Sequence, residues 1–389
     1  MSAIFILSGA RTAIGSFGGS LAAMPPIELA TIAMTAAMAR SSVAPEEVGT
    51  VVMGHVINTE PRDMYLSRVA AMGAGLPATV PAMNVNRLCG SGAQAIVSAA
   101  QALSLGDAGI ALAGGAESMS RSPYMLASAR FGQKMGDTAA VDMMTGALTC
   151  PFGTGHMGVT AENVALDHGI SRQAQDGFAL ESQRRAAAAI AEGRFDGQIV
   201  PVEVPGKKGP VTFARDEHPK ATSAEALAGL RPVFKKDGTV TAGNASGIND
   251  GAAALVLARE DALGTRTPRA RLVGYAHAGV APDVMGIGPV PAVRALMART
   301  GLDVGDFDVI ESNEAFAAQA LAVSQALGFD PDRVNPNGGA IALGHPVGAT
   351  GAIITLKALA ELDRTGGRRA LVTMCIGGGQ GIALALERV

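Results

Sequence analysis

"CGSGAQAIVSAAQAL" (residues 89–103) and "HPVGATGAIITLKAL" (345–359) stand 256 positions apart and share one pattern. Gly92 aligns with Gly348, Leu103 with Leu359, and Cys89 with His345. Each stretch opens on a reactive side chain and a glycine. It then runs into a helix that is apolar on nearly every face, through Ile96, Val97, Leu103 and Leu105 in one copy and Ile353, Ile354, Leu356 and Leu359 in the other. Helices of that kind belong inside a protein. A short polar turn leads from each into an apolar run, "AGIALAGGAES" in the first copy and "RRALVTMCIGGG" in the second. A further pair, "MARSSVAPEEVGTV" (38–51) and "MARTGLDVGDFDVI" (297–310), reads in both cases as a helix end, a turn, an acidic patch and a strand. Strand and helix in alternation predict an α/β fold with a largely parallel sheet, here duplicated about a pseudo-two-fold axis near which Cys89 and His345 meet.

The stretch from about Met119 to Ala245 lies outside the repeat and reads as an insertion. It carries one clear surface helix, "SRQAQDGFALESQRRAAAAIAEG", with Ser171 placed to cap it and Gly193 to stop it. Basic residues follow: Lys207, Lys208, Arg215, His218, Lys220, Arg231, Lys235 and Lys236, a plausible seat for a phosphate-bearing ligand or simply a solvated face. The boundaries are then 1–118 plus 246–268 for the first half, 119–245 for the inserted loop domain and 269–389 for the second half. "HMGVTAENVA" (156–165) reads as strand then turn, and "TAGNASGINDGAAALVL" (241–257) as turn then helix.

Composition narrows the function. With 48% hydrophobic and 17% charged residues, the 389-residue chain buries a large core. A net charge of −3, no Trp and three Tyr leave neither the basic face nor the stacking platforms that nucleic acid requires. Three widely spaced cysteines, Cys89, Cys150 and Cys375, form neither a disulfide framework nor a zinc motif and suit a reducing compartment. No run of 18 apolar residues suggests a membrane span, and the cytoplasm is the expected location. Neither "HMGVTAENVA" (156–165) nor "TAGNASGINDGAAALVL" (241–257) matches a phosphate-binding G-x-x-x-x-G-K-[ST] or a dinucleotide G-x-G-x-x-G, so ATP and NAD are not suggested.

Three residues stand out for chemistry. Cys89 sits at a helix start, where unpaired N–H groups and the helix dipole favour thiolate. His345 is its symmetry mate, with Pro346 suited to the first helical position, and a Cys and a His within reach of each other make an activated nucleophile. Cys375 precedes three glycines in "VTMCIGGGQG" (372–381), which clear side chains from the space beside its thiol. "ESNEAFAAQA" (311–320) sets Glu311, Asn313 and Glu314 between a strand and a helix, where a polar amide can fix a water or an oxyanion.

With "NRLCGSGAQA", "NEAFAAQA", "GGAIALGHPVGATG" and "CIGGGQG" in this order, the whole chain resembles the thiolases, the acetyl-CoA C-acetyltransferase family, and within it the bacterial short-chain β-ketothiolases. The resemblance implies a five-layer α-β-α-β-α core of two duplicated halves with an inserted loop domain. It implies reversible condensation of an acyl-CoA with acetyl-CoA to a 3-oxoacyl-CoA and CoA, in ping-pong fashion through acyl-Cys89, and no cofactor or metal. His345 would activate Cys89, and Cys375 would serve as acid and base. His345 with a water on Asn313 would hold the enolate oxygen, and the backbone N–H groups of Cys89 and Gly377 the acyl oxygen. His156, Met157, Ser246 and Met285 match positions around pantetheine and the acyl group, and Lys220 stands where relatives often carry Arg near the nucleotide. The partners implied are acetyl-CoA, acyl-CoA, CoA and further copies of this chain, a tetramer through the segment near 120–145. A broad-chain or 3-oxoadipyl-CoA degradative thiolase is the near alternative. A β-ketoacyl synthase, which pairs its Cys with two histidines, and a non-catalytic acyl-CoA-binding protein are the remote ones.

Overall fold

The computed structural model describes residues 2–389. Nine strands, β1 (Ile4–Thr12), β2 (Val48–Gly54), β3 (Ala82–Val85), β4 (Ile110–Ser118), β5 (Asn249–Arg259), β6 (Ala270–Gly279), β7 (Val309–Ser312), β8 (Arg369–Ile376) and β9 (Gln380–Arg388), pair in the order β7-β8-β9-β6-β1-β5-β4-β2-β3. The helices that pack on them are α1 (Pro26–Ser41), α2 (Leu66–Gly73), α3 (Ser91–Leu105), α6 (Pro289–Thr300), α7 (Ala317–Leu327) and α8 (Thr350–Thr365). Between β4 and β5 the chain adds α4 (Met157–Asp167) and α5 (Arg172–Ala191).

The duplication is explicit in the pairing. In the first half β1 joins β5, β5 joins β4 and β4 joins β2; in the second β6 joins β9, β9 joins β8 and β8 joins β7. The halves touch edge to edge through two residue pairs, Phe5 with Arg271 and Ile6 with Ala270. The expectation of a largely parallel sheet is corrected: among these nine strands only β2/β3, β2/β4 and β7/β8 are parallel, while β4/β5, β5/β1, β1/β6, β6/β9 and β9/β8 are antiparallel. The parallel signal came from the β-α-β crossovers, and the returning strands β5 and β9 reverse direction.

Five layers result. α1 and α2 bury Leu29, Met34 and Leu66 against Val51, Leu112 and Val256 on one sheet face. α3 and α8 fill the middle, with Ile96, Val97, Ile353 and Leu359 packed on Val52 and Leu255 on one side and Val372 and Leu384 on the other. α6 and α7 close the far side with Val293, Leu296 and Val323 on Leu371 and Ala385. Each fully buried side chain of this kind contributes about 1.5–3 kcal/mol. α3 and α8 meet where the repeat placed glycines: a Cβ on Gly92 would lie 2.8 Å from Ala352 N and 3.1 Å from Gly348 O. That closeness draws the starts of both helices, and the residues before them, to the pseudo-axis.

Several local expectations change. Residues 249–259 form β5, buried along both faces between β1 and β4, so tertiary burial overrides the helical propensity of its alanines. Residues 157–167 are α4, a helix, after a two-residue strand at Gly155–His156. Leu105, at the last turn of α3, is exposed rather than core. Pro346 opens a turn, its carbonyl accepting from Ala349 and Thr350 N–H, and α8 begins only at Thr350. In the insertion, Ser171 Oγ caps α5 by accepting from Ala174 N–H at 3.2 Å, and Gly193 follows the helix in a left-handed conformation. Arg11 of β1 ties the insertion down through a fully buried pair with Asp216 at 2.7 and 2.9 Å. Among the described residues no helix is long and apolar enough to cross a membrane.

Candidate active site

Cys89 lies in the turn between β3 and α3, two residues before the first helical residue. Leu88 takes φ +45°, a left-handed conformation that costs a non-glycine residue about 1–3 kcal/mol. Ser91 holds it there, its Oγ accepting from Arg87 N–H at 2.9 Å and donating to Leu88 O at 2.6 Å. The turn delivers the Cys89 sulfur to the backbone N–H groups of Gly377 and of Cys89 itself. Burial nevertheless pushes the thiol up, and those two N–H groups offset it only in part, while the buried Glu117 carboxylate adds to the rise. The helix-start position therefore meets an opposing effect that the sequence does not show: burial of the sulfur.

His345 is buried at the opposite helix start. Its Nδ1 lies 2.6 Å from Thr350 Oγ1 and its Nε2 3.5 Å from Asn313 Nδ2. Burial alone drives its pKa down to about 4, so the ring is a neutral base at ordinary pH. Two residues of the first half fix its loop. Asn249 Oδ1 accepts from His345 N–H at 2.9 Å, and Glu117 Oε2 accepts from Gly348 N–H at 2.9 Å. Glu117 also accepts from Val56 and Ile57 N–H at 3.1 Å each.

Cys375 sits on β8 with alternation deciding its environment. Ala370, Val372, Met374 and Ile376 face the middle helices, while Cys375 faces a cluster of Met157, Met285, Ala315 and Phe316. Burial, and then the nearby Cys89 sulfur, push its thiol far above the ordinary cysteine range. The glycines after it have distinct tasks. Gly378 and Gly379 take φ +83° and +87° in the β8–β9 turn, and a Cβ on Gly377 would meet Met157 Cε at 2.8 Å and Leu88 Cδ1 at 3.1 Å.

One cavity of about 550 Å³ gathers these groups. Cys89, His345, Gly377, His156, Met157, Lys220, Ser246 and Met285 line it, along with apolar Leu88, Val56, Leu148 and Phe316. Cys375 lies immediately behind its wall, in contact with Met157 and Met285. Asn313 is not on that wall. It borders a second, small cavity of about 10 Å³ together with Thr350, Lys357 and Arg11, and its Oδ1 is buried with no partner among the described residues. His156 caps α4 by accepting from Gly158 N–H at its Nδ1, which leaves Nε2–H as the donor, and the ring stacks on Phe234 at 4.7 Å. Of the basic residues in the insertion, His218 and the exposed Lys220 reach the cavity, whereas Lys235 donates to Asn163. Asn249, Glu117 and Thr350 went unnoticed in the sequence. A lone acid closing the apolar run "IALAGGAES" was the one available signal, for Glu117.

Two family descriptions cover nearly all of the chain: Thiolase, N-terminal domain, matches residues 4–261, and Thiolase, C-terminal domain, residues 266–388. The chain belongs to the thiolase family. It is 60% identical over 391 residues to the β-ketothiolase BktB of Cupriavidus necator, covering 99% of both chains. It superposes on the Bacillus anthracis acetyl-CoA acetyltransferase with a TM-score of 0.98 at 45% identity, over 100% of this chain and 99% of that one. The human mitochondrial 3-ketoacyl-CoA thiolase, solved in complex with CoA, matches with a TM-score of 0.97 at 45% identity, over 100% of this chain and 98% of that one. This thiolase is accordingly an acyltransferase with the thiolase fold.

Proposed function

We propose that this thiolase condenses and cleaves short 3-oxoacyl-CoA through an acyl group carried on Cys89. The observation that carries the reading is the convergence on one sulfur. Two backbone N–H groups, from Cys89 and Gly377, face the Cys89 sulfur on the wall that His345 also lines, and Cys375 lies close enough to feel its charge.

In the first half-reaction Nε2 of His345 takes the Cys89 proton, the sulfur attacks the thioester carbonyl, and the imidazolium returns the proton to the departing CoA sulfur. The N–H groups of Cys89 and Gly377 hold the carbonyl oxygen as it becomes an oxyanion, a donor of this kind being worth about 3–4 kcal/mol. In the second, the Cys375 thiolate removes an α-proton from acetyl-CoA. The resulting enolate attacks acyl-Cys89, the thioester C–S bond breaks to release Cys89 as thiolate, the 3-oxoacyl-CoA leaves, and the proton held by Cys375 passes to Cys89 to restore the starting state. His345 and a water held by the unpartnered Oδ1 of Asn313 stabilise the enolate oxygen. Thiolysis runs the same steps backwards, with the Cys375 thiol donating the proton. The burial that raises Cys375 makes its thiolate a strong base. The Cys89 sulfur, where ionised, opposes ionisation of Cys375, and acylation removes that opposition.

Thioester exchange is redox-neutral, so the residues named suffice without a cofactor. His156 Nε2–H and Ser246 would bind pantetheine, Lys220 the CoA phosphates, and Met157 and Met285 would border the acyl chain. The insertion of residues 119–245 would supply the contacts of His156, Met157 and Lys220 and, through exposed Tyr124, Phe131 and Met135, a tetramer interface in the cytoplasm. The apolar wall of Leu88, Leu148 and Met157 suits an acyl chain. Mass mapping after incubation with acetyl-CoA tests the reading: one acetyl group on Cys89, absent from Cys89→Ser, supports it, and labelling elsewhere or not at all overturns it. Thiolysis of acetoacetyl-, 3-oxovaleryl-, 3-oxohexanoyl- and 3-oxoadipyl-CoA, compared by kcat/KM, ranks the chain lengths. Sedimentation showing only monomer would contradict the assembly.

A further inference from the structure

Resting on the reading of the large cavity as the seat of a CoA thioester, we infer that His218 is a substrate-binding residue that pairs with the amide of the pantetheine arm farther from the sulfur. Pantetheine carries two amides, one beside the cysteamine carbons and one at the pantoyl group. Both must enter a cavity whose outer wall is apolar, with exposed Phe17 and Val233 and half-buried Phe234 on it. An amide brought there from water without a hydrogen-bond partner weakens binding. His218 lines the same cavity, half-buried, and neither of its ring nitrogens has a hydrogen-bond partner among the described residues. Burial, and then the Lys220 charge, hold the ring down to about 4, so it is neutral at ordinary pH. A neutral imidazole presents one N–H and one lone pair, and an amide presents one N–H and one C=O, so whichever nitrogen faces the amide finds its complement. No protein group fixes the tautomer, and the ring proton settles where the amide requires it.

Position selects the amide. A Cβ on Gly247 would collide with His218 Cε1 and stand 2.7 Å from its Nε2, so the ring lies directly on the backbone beside Ser246. In sequence it comes two residues before Lys220. With Ser246 assigned to pantetheine and Lys220 to the phosphates, His218 falls between them, which is where CoA carries its second amide. The segment is also fixed before any ligand arrives. Asp216 is paired with buried Arg11, Glu217 N–H donates to Ile14 O at 3.0 Å, and Lys220 N–H donates to Gln183 Oε1 at 3.0 Å. A ring placed in advance loses little freedom when the arm binds.

Three acetoacetyl thioesters test this on the full-length enzyme: that of CoA, that of pantetheine, which lacks the nucleotide, and that of N-acetylcysteamine, which keeps only the amide nearer the sulfur. His218→Phe keeps a flat ring against Gly247 and removes both nitrogens. In thiolysis at saturating CoA it should raise KM for the CoA and pantetheine thioesters by about fivefold, the size of one lost hydrogen bond. Turnover, kcat, should stay within about twofold, because the contact is equal in the ground and transition states. For the N-acetylcysteamine thioester, which has no second amide, kcat/KM should also stay within about twofold. An effect of equal size on all three substrates, an effect confined to the CoA thioester, or no effect on any overturns the inference; the second of these would assign the ring to phosphate. Nitrogen-15 spectra of wild type, assigned against His218→Gln, do not depend on the Phe variant: a shift of the His218 ring signal on adding pantetheine supports the inference, and an unmoved signal overturns it. If wild type fails to cleave acetoacetyl-CoA, the underlying reading of the cavity falls first, which separates the two failures.

Discussion

Lowering the pH from 7.5 to 5.5 should leave acetylation of Cys89 almost unchanged. Burial holds His345 at about 4 rather than the ordinary 6.5. At pH 5.5 a ring that titrates near 4 is still almost entirely the neutral base, whereas a ring at 6.5 would be roughly nine-tenths protonated and the step about tenfold slower. Stability follows the same proton. The folded chain binds it more weakly than the unfolded chain, so the unfolded state gains protons first as pH falls. The folded protein then loses stability between about pH 6.5 and pH 4, by roughly 3 kcal/mol once the window is crossed. Rapid-quench acetylation at pH 5.5, 6.5 and 7.5 reads the first effect, and urea unfolding of wild type and His345→Gln over the same range reads the second. An acetylation midpoint near 6.5, or an unfolding free energy with the same pH slope in both proteins, would refute the reasoning.

Other perturbations probe the surrounding parts. Gly377→Ala forces Met157 Cε and Leu88 Cδ1 aside and tilts an oxyanion donor; both are flexible side-chain ends, so the chain should fold while kcat falls about 100-fold in steady-state thiolysis. Glu117→Gln turns an NH₂ group toward either the Ile57 N–H or the Val56 and Gly348 N–H groups, and denaturant titration should show about 1–3 kcal/mol of lost stability, with slower turnover from a loosened His345 loop. Once Cys89 ionises at alkaline pH its charge opposes ionisation of Cys375, so in Cys89→Ser the alkaline rise in alkylation of Cys375 should come at lower pH than in wild type, and an unshifted profile would deny their electrostatic coupling.

The duplication was legible because both copies keep glycine at a close approach: Gly92 faces the start of α8, Gly348 lies against Glu117, Ala116 O and Gly54 O, and neither accommodates a side chain. Cys89, His345 and Gly377 were legible for a related reason, since the motifs that carry them are short and contiguous. Strand direction was less legible. β5 is rich in alanine and reads as helix until its burial between β1 and β4 is known, and the reversal at β9 is written only in a turn of glycines. Asn249 and Glu117 were hidden because each acts on a backbone segment distant in sequence, and Thr350, although inside the His345 motif, carries no reactive group that singles it out. The burial that opposes ionisation of Cys89 was not legible, because a helix start can be read from a local stretch whereas desolvation comes from packing across the two halves.

The central claim is that two thiols divide the reaction, Cys89 carrying the acyl group and Cys375 moving the α-proton. Cys375→Ser, incubated with acetyl-CoA and assayed for both the acetyl-enzyme and the condensed product, separates these steps. The account predicts acetyl-Cys89 at close to the wild-type level with condensation reduced by orders of magnitude; condensation at the wild-type rate would contradict it.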